Sequence, residues 1–187
     1  GFDRNKIIFG GDHMGPLPWC ELPAAEAMEH AKLLVKLCVE AGYKKIHLDT
    51  SMRLGDDPVN EPLKDELVAE RGAILFEECE KAYQKLLKSN PDEVRPVYVI
   101  GSEVPIPGGS QEVEDHVAVT KAEDFENTLL AYKKEFKQRG MAELWKYVIA
   151  IVVQPGVEFG ERGIHAYDRV EAAKLCKALK QYPDIVF

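Results

Sequence analysis

The sequence predicts an α/β protein of the (β/α)8 TIM barrel class, of which residues 1–187 form a single domain, an interior segment of about four β-α units. Three observations predict it. Short, nearly continuous apolar runs alternate with longer stretches of helical periodicity, the pattern of a parallel sheet with right-handed crossovers. Neither a GxGxxG nor a GxxxxGK[ST] loop follows any of the runs, which removes the strongest reasons to prefer a nucleotide-binding open sheet. A finished barrel takes about 250 residues, whereas this chain has 187, begins Gly1-Phe2 and ends in "YPDIVF", where another strand is starting.

The elements follow in order. Residues 6–10 (KIIFG) are an Ile-rich run closed by the Gly10-Gly11 pair, as a strand buried on both faces would be. Over 23–41, Ala27, Ala31, Leu34, Val35 and Cys38 recur at helical spacing, with Gly42 as the stop. "KKIHLDTS" (44–51) is the second strand. The stretch 62–87 is a long amphipathic helix with Ala69, Ala73, Phe76 and Tyr83 on one side. "PVYVIGSE" (96–103) is the third strand, and the loop "VPIPGGSQEVEDHVAVT" leads to a helix with Thr120 as N-cap and Glu123 three positions on, stopped by Gly140. "KYVIAIVVQPG" (146–156) is the fourth strand, and 166–181 is its helix.

Composition narrows the class of partner. A chain with 45% hydrophobic and 30% charged residues is globular, and a net charge of −8 provides no basic stripe for nucleic acid or an anionic membrane surface. A small anionic substrate needs only a local cluster of N–H or cationic groups and stays open. No run approaches the roughly 18 apolar residues of a membrane span and no signal peptide is visible, so the reading is cytoplasmic. Cys20, Cys38, Cys79 and Cys176 show no CxxC spacing and read as small buried hydrophobes in a reducing compartment.

In a barrel the C-terminal strand ends share one functional face. The first strand ends in Asp12 and His13, the second in Asp49 and Ser51, the third in Ser102 and Glu103, the fourth in Gln154, Glu158 and Glu161. The other rim carries Lys6, Lys44, Lys45, Arg95 and Lys146, read as solvated cations. His13 with Glu103 suits zinc or manganese if a third ligand comes from elsewhere. The alternative is a His13 bonded to a loop carbonyl and a Glu103 capping a helix. Asp12 and Asp49 can form a proton-transfer pair with raised pKa values, or serve as turn and cap residues. Gly108-Gly109 can offer N–H groups to a phosphate, or form a plain turn. His47, between Ile46 and Leu48, reads as a core or interlayer histidine; His30, His116 and His165 carry no argument.

"GGDHMGP", "KIHLDTSM", "DDP", "AERGA", "VIGSEVPIPGG" and "VIAIVVQPGVEFG", in that order, resemble the GatZ/KbaZ family, the Z subunits associated with tagatose-1,6-bisphosphate aldolase. The resemblance implies a longer whole protein, an oligomer, and a relation to class II aldolases, which are metal-dependent barrels. It puts His13 and Glu103 at metal-ligand positions, Asp12 at the proton-donor position, Asp49 and Glu158 among the catalytic acids, and Ser51, Gly108, Gly109 and Gln154 around the substrate. Where aldolases place a further metal histidine before a glycine, this chain has Phe159-Gly160 with Glu158 beside it, so the ligand set is altered.

Two functions follow from the resemblance. One is a tagatose 6-phosphate 4-epimerase using a divalent metal, zinc or manganese, on a phosphorylated ketohexose: C3–C4 opens to an enediolate and an aldehyde, and re-addition inverts C4. The other is a non-catalytic subunit that stabilises a class II aldolase catalytic subunit. An older label of the family, tagatose-6-phosphate kinase, finds neither a Walker lysine loop nor a kinase signature here.

Overall fold

The computed structural model describes residues 6–101, 119–156, 158–160, 163–165 and 168–187. Strands β1 (Gly10–Met14), β2 (Lys45–Leu48), β3 (Val97–Ile100) and β4 (Val148–Ile151) form a parallel sheet in the order β1-β2-β3-β4. Helices α1 (Ala24–Glu40), α2 (Asp65–Ser89) and α3 (Ala122–Gln138) make the crossovers, and α4 (Arg169–Leu179) follows β4. Sequential strand order with every helix packed into one apolar core is winding in a single direction, as in part of a (β/α)8 barrel. After α4, Val186 bridges in parallel to Ala150 and extends the sheet at "YPDIVF".

The core lies between the sheet and the helices. Ile46, Leu48, Tyr98, Ile100, Val148 and Ile151 face Ala27, Ala31, Val35, Ala69, Ala73, Phe76, Leu129 and Phe136. Phe76 is wedged between Tyr98 and Phe136, with ring centroids 4.4 and 4.5 Å away. Val99 and Ala150 are buried outside that core, on the sheet's other face, which Asp12, Lys45 and His47 share.

Several expectations need correcting. The first strand is shifted from 6–10 to Gly10–Met14, and Ile7, Ile8 and Phe9 are exposed. The run looks like a buried strand by composition, yet pairing with β2 begins only at Gly10↔Lys45. Thr120 is not the cap of α3: Lys121 occupies that position with no side-chain cap bond, while Thr120 Oγ1 accepts from Gln154 N at 2.8 Å and Thr120 N donates to Gln154 O at 2.8 Å. The threonine therefore joins the start of α3 to the end of β4. Between β4 and α4, "EFGERGIH" adds a two-stranded antiparallel hairpin, β5 (Glu158–Gly160) and β6 (Gly163–His165). Two short β-prone steps separated by two residues and flanked by glycines carry that signal. Of the cysteines only Cys79 is fully buried, and Cys176 is exposed on α4.

The rim at the strand starts is not simply solvated. Arg95 lies between the rings of Tyr83 and Tyr147, 4.5 and 4.4 Å from their centroids, and pairs with Glu80. Glu80 Oε1 also accepts from Tyr98 Oη at 2.8 Å. Burial, first of all, and then the neighbouring Cys79 and Glu80 hold the Tyr98 phenol protonated far into alkali. Tyr98→Phe is expected to lower stability by about 1.5–3 kcal/mol, the usual range for a bond to a charged acceptor. Urea melts of the two proteins check it; equal midpoints would mean Glu80 is fully satisfied without the phenol.

Candidate active site

The end of β1 is built around a bulge. Gly11 pairs with Ile46 and Met14 with Leu48, so three steps along β1 match two along β2. One residue is extra, and His13 absorbs it with φ of 48°, the one non-glycine positive φ among the described residues. Strict alternation would send one of two consecutive side chains into the helix-side core. The bulge instead leaves Gly11 and Met14 buried and Asp12 and His13 exposed, so an acid and an imidazole emerge together.

Asp49, just past β2, meets them. Its Oδ2 lies 3.0 Å from His13 Nδ1, and its Oδ1 accepts from Ser51 Oγ at 2.7 Å and Ser51 N at 3.1 Å. A carboxylate only accepts, so Nδ1 carries the proton, and in the neutral form of the ring the lone pair is on Nε2. That is the carboxylate–histidine arrangement in which an imidazole ligates a divalent metal. His13 and Asp49 therefore fit one corner of a metal site. Among the described residues no group of three or more His, Cys, Asp or Glu is placed to complete it, and Glu103 lies outside the described residues.

Asp12 Oδ1 is 2.6 Å from Lys45 Nζ and 3.1 Å from His47 Nδ1. Lys45, expected as a solvated cation on the far rim, reaches along the sheet instead. Its hydrogen bond is the main reason that the Asp12 carboxyl sits below the usual carboxylate range; burial opposes this more weakly. The expectation of a raised pKa does not hold for Asp12, because an ammonium sits where a second carboxylate was anticipated.

His47 is the residue sequence reasoning missed. It is 1% exposed and belongs to the polar cluster rather than the core: its Nε2 is 2.8 Å from Gly101 O, its Nδ1 is 3.1 Å from Asp12 Oδ1 and 3.3 Å from His13 N, and its ring is 4.9 Å from that of His13. A histidine alternating with Ile46 and Leu48 beside a predicted Asp-His strand was the available signal.

The remaining sites are placed unevenly. Ser51 is part of the Asp49 cluster. Gln154 is buried after β4 with its Oε1 accepting from Gly156 N at 2.8 Å, so its side-chain carbonyl folds its own turn. Glu158 is on β5, beyond that turn. Gly108 and Gly109, like Ser102, lie outside the described residues, as does Glu161.

The surrounding loops are fastened by the other sequence motifs. Asp56 Oδ1 accepts from Ala24 N at 2.7 Å, supplying the first turn of α1 with the acceptor that Pro23 cannot give. Asp57 makes a two-pronged pair with Arg71 of α2, at 2.7 and 2.8 Å, and accepts from Leu54 N. The hydrogen bonds from Arg71, against the opposing effect of burial and with the help of the Leu54 N–H, hold the Asp57 carboxyl below its ordinary range. Gly72 leaves room for Tyr132, whose Oη would be 2.3 Å from any Cβ there. Among the described residues no helix is long and apolar enough to cross a membrane.

Two comparisons bear on these observations. A family model described as D-tagatose-1,6-bisphosphate aldolase subunit GatZ/KbaZ-like matches residues 1–187. The chain is also similar, at 39% identity and a TM-score of 0.81 over 100% of its length, to the crystal structure of a probable tagatose 6 phosphate kinase from Sinorhizobium meliloti 1021. It spans 41% of the length of that protein.

Proposed function

The chain belongs to the D-tagatose-1,6-bisphosphate aldolase subunit GatZ/KbaZ-like family, and from that premise we propose that it carries part of the site of a tagatose 6-phosphate 4-epimerase. Membership places it in tagatose carbohydrate metabolism. The observation that supports catalysis is the bulge: it presents Asp12 and His13 on one face and sets His13 against Asp49, an arrangement that a purely supporting surface does not require.

In this reading His13 and Glu103 hold a divalent cation, zinc or manganese. When bound, the cation supplies Lewis acidity toward the C2 carbonyl of the ketohexose phosphate. Asp49 keeps the His13 lone pair directed outward. Asp12 takes the C4 hydroxyl proton as C3–C4 breaks, and the bonding pair moves toward the C2 carbonyl oxygen. Once the aldehyde turns its other face, the bond re-forms with C4 inverted and the proton returns to its oxygen. Glu158 serves the opposite face, while Ser51, Gln154 and the Gly108-Gly109 N–H groups contact the sugar phosphate. The site reading assigns no step to a kinase.

A second reading, a non-catalytic partner of a class II aldolase catalytic subunit, is favoured by the family description, which names a subunit. The test uses the purified protein with any sequence flanking these residues in place. With zinc or manganese and tagatose 6-phosphate, fructose 6-phosphate is expected to form, with a loss of about 100-fold or more in His13→Ala and Glu103→Ala, as for removal of a group that acts at the reacting centre. No turnover by the wild type, with stimulation of an added aldolase subunit, would replace the first reading by the second.

A further inference from the structure

We propose that Lys45 is the positioning residue for Asp12: its ammonium holds Oδ1 of the carboxylate, so that Oδ2 is the oxygen presented to the sugar hydroxyl. The inference rests on the reading of Asp12 as the group that takes the C4 proton, and adds the residue that aims it.

Strand register puts the lysine there. Ile46 and Leu48 are buried in the helix-side core, so alternation sends Lys45 and His47 to the other face of β2. Lys45 pairs with Gly10, and its stem passes beside that glycine, where a Cβ would stand 3.4 Å from Lys45 Cβ and 3.2 Å from Lys45 Cδ. The side chain thus runs along β1 toward Asp12, and Nζ donates to Asp12 Oδ1 at 2.6 Å. His47 Nδ1 lies 3.1 Å from the same oxygen, and the His47 ring is itself fixed by burial and by the 2.8 Å contact of Nε2 with Gly101 O. Both contacts fall on Oδ1.

The exposures decide what the pair does. The Asp12 side chain is 69% exposed and that of Lys45 33%, and an ion pair so open to water adds little to stability. Its effect is on direction. An aspartate on its own samples several staggered rotamers, whereas one whose Oδ1 is held by an ammonium on the neighbouring strand keeps a single orientation. Proton transfer needs the acid within hydrogen-bond reach of the hydroxyl, and a misplacement of about 1 Å costs about 10²-fold. A lysine at the start of a strand can send its ammonium out to water; this one spends it on the site's acid.

Two substitutions and their combination separate aiming from substrate contact. Lys45→Met keeps the length of the stem and removes the charge, while Asp12→Asn removes the acid. With zinc or manganese present, kcat and KM for tagatose 6-phosphate are measured on the purified protein with any flanking sequence in place. Lys45→Met is expected to lose about 10- to 100-fold in kcat with KM within about threefold, and to melt close to the wild type. Lys45→Arg, which keeps a charged donor, is expected to lose less. Adding Lys45→Met to Asp12→Asn is expected to cost nothing further, because the lysine acts only through the carboxylate. Additive losses, or a KM that rises in step with the fall in kcat, would make Lys45 a substrate contact and overturn the proposal, as would an unchanged kcat in Lys45→Met. The 15N spectrum of the lysine ammonium groups reads the pairing without turnover: the Lys45 signal is expected to be protected from exchange with water in the wild type and to lose that protection in Asp12→Asn. Identical Lys45 signals in the two proteins would overturn the proposal. A wild type that turns over no sugar phosphate would end the epimerase reading, while the ammonium spectrum would still judge whether Lys45 holds Asp12.

Discussion

Gly15→Ala is expected to cost about 3 kcal/mol of stability, at the upper end for overpacking, and to reduce any turnover by about 100-fold. A Cβ at this position would stand 1.7 Å from Asp49 O and 2.9 Å from Asp49 C. Both atoms are backbone, so no rotamer change relieves the contact. The end of β2 would have to retreat by more than 1 Å, roughly the misplacement that costs 10²-fold where a reacting group is involved. Asp49 N donates to Met14 O at 3.2 Å and Asp49 Oδ2 holds His13, so the retreat opens the β1-β2 junction and the carboxylate–histidine pair together. Gly10→Ala is the control, since its Cβ would stand 3.2 Å from Lys45 Cδ, at the flexible part of that side chain, and 3.7 Å from the nearest backbone atom, Lys45 O, an ordinary contact. Thermal melts and zinc titrations of both variants check the prediction. Equal behaviour of the two would mean that the approach of Gly15 to Asp49 is not what shapes the site.

The alternation of apolar runs and amphipathic stretches made the sheet and helices legible, because burial on both faces leaves an unbroken apolar strand and burial on one leaves a helical stripe. Ala69, Ala73, Phe76 and Tyr83 are buried on α2 as their spacing predicts. The shift of β1 to Gly10–Met14 was not legible. Its strand is made of two glycines, an acid, an imidazole and a single large apolar residue, Met14, and only pairing with β2 gives such a run extended structure. The bulge was hidden for the same reason, since composition does not reveal that three steps face two. His47 shows the converse error: period-2 patterning located it correctly in a strand, but patterning is silent on whether a buried polar residue faces a core or a polar cluster. The motifs "DDP" and "AERGA" were legible as a family signature without their physics, which is loop anchoring through Asp56, Asp57, Arg71 and Gly72.

That anchoring supplies the second large effect. Asp57→Asn is expected to cost about 3–5 kcal/mol at pH 7, the range for removing one partner of a buried ion pair. Both side chains are under one-tenth exposed, so the Arg71 guanidinium would be left with its charge uncompensated away from water. The loss should also depend on pH, and the sign follows from the carboxyl. Because the folded state holds Asp57 below its ordinary value of 3.8, its stabilisation is complete above the unfolded pKa and is lost as pH falls through the lower, folded one. The gap between wild type and variant should therefore be full at neutral pH and begin to shrink below about pH 4. The other acids titrate in both proteins and cancel in the difference. Urea midpoints at pH 7, 5 and 3 measure it. A gap that stays constant down to pH 3 would assign the effect to lost shape and hydrogen bonds rather than charge. A gap that closes would establish Asp57–Arg71 as the electrostatic latch of the loop that caps α1 and follows the Asp49 cluster.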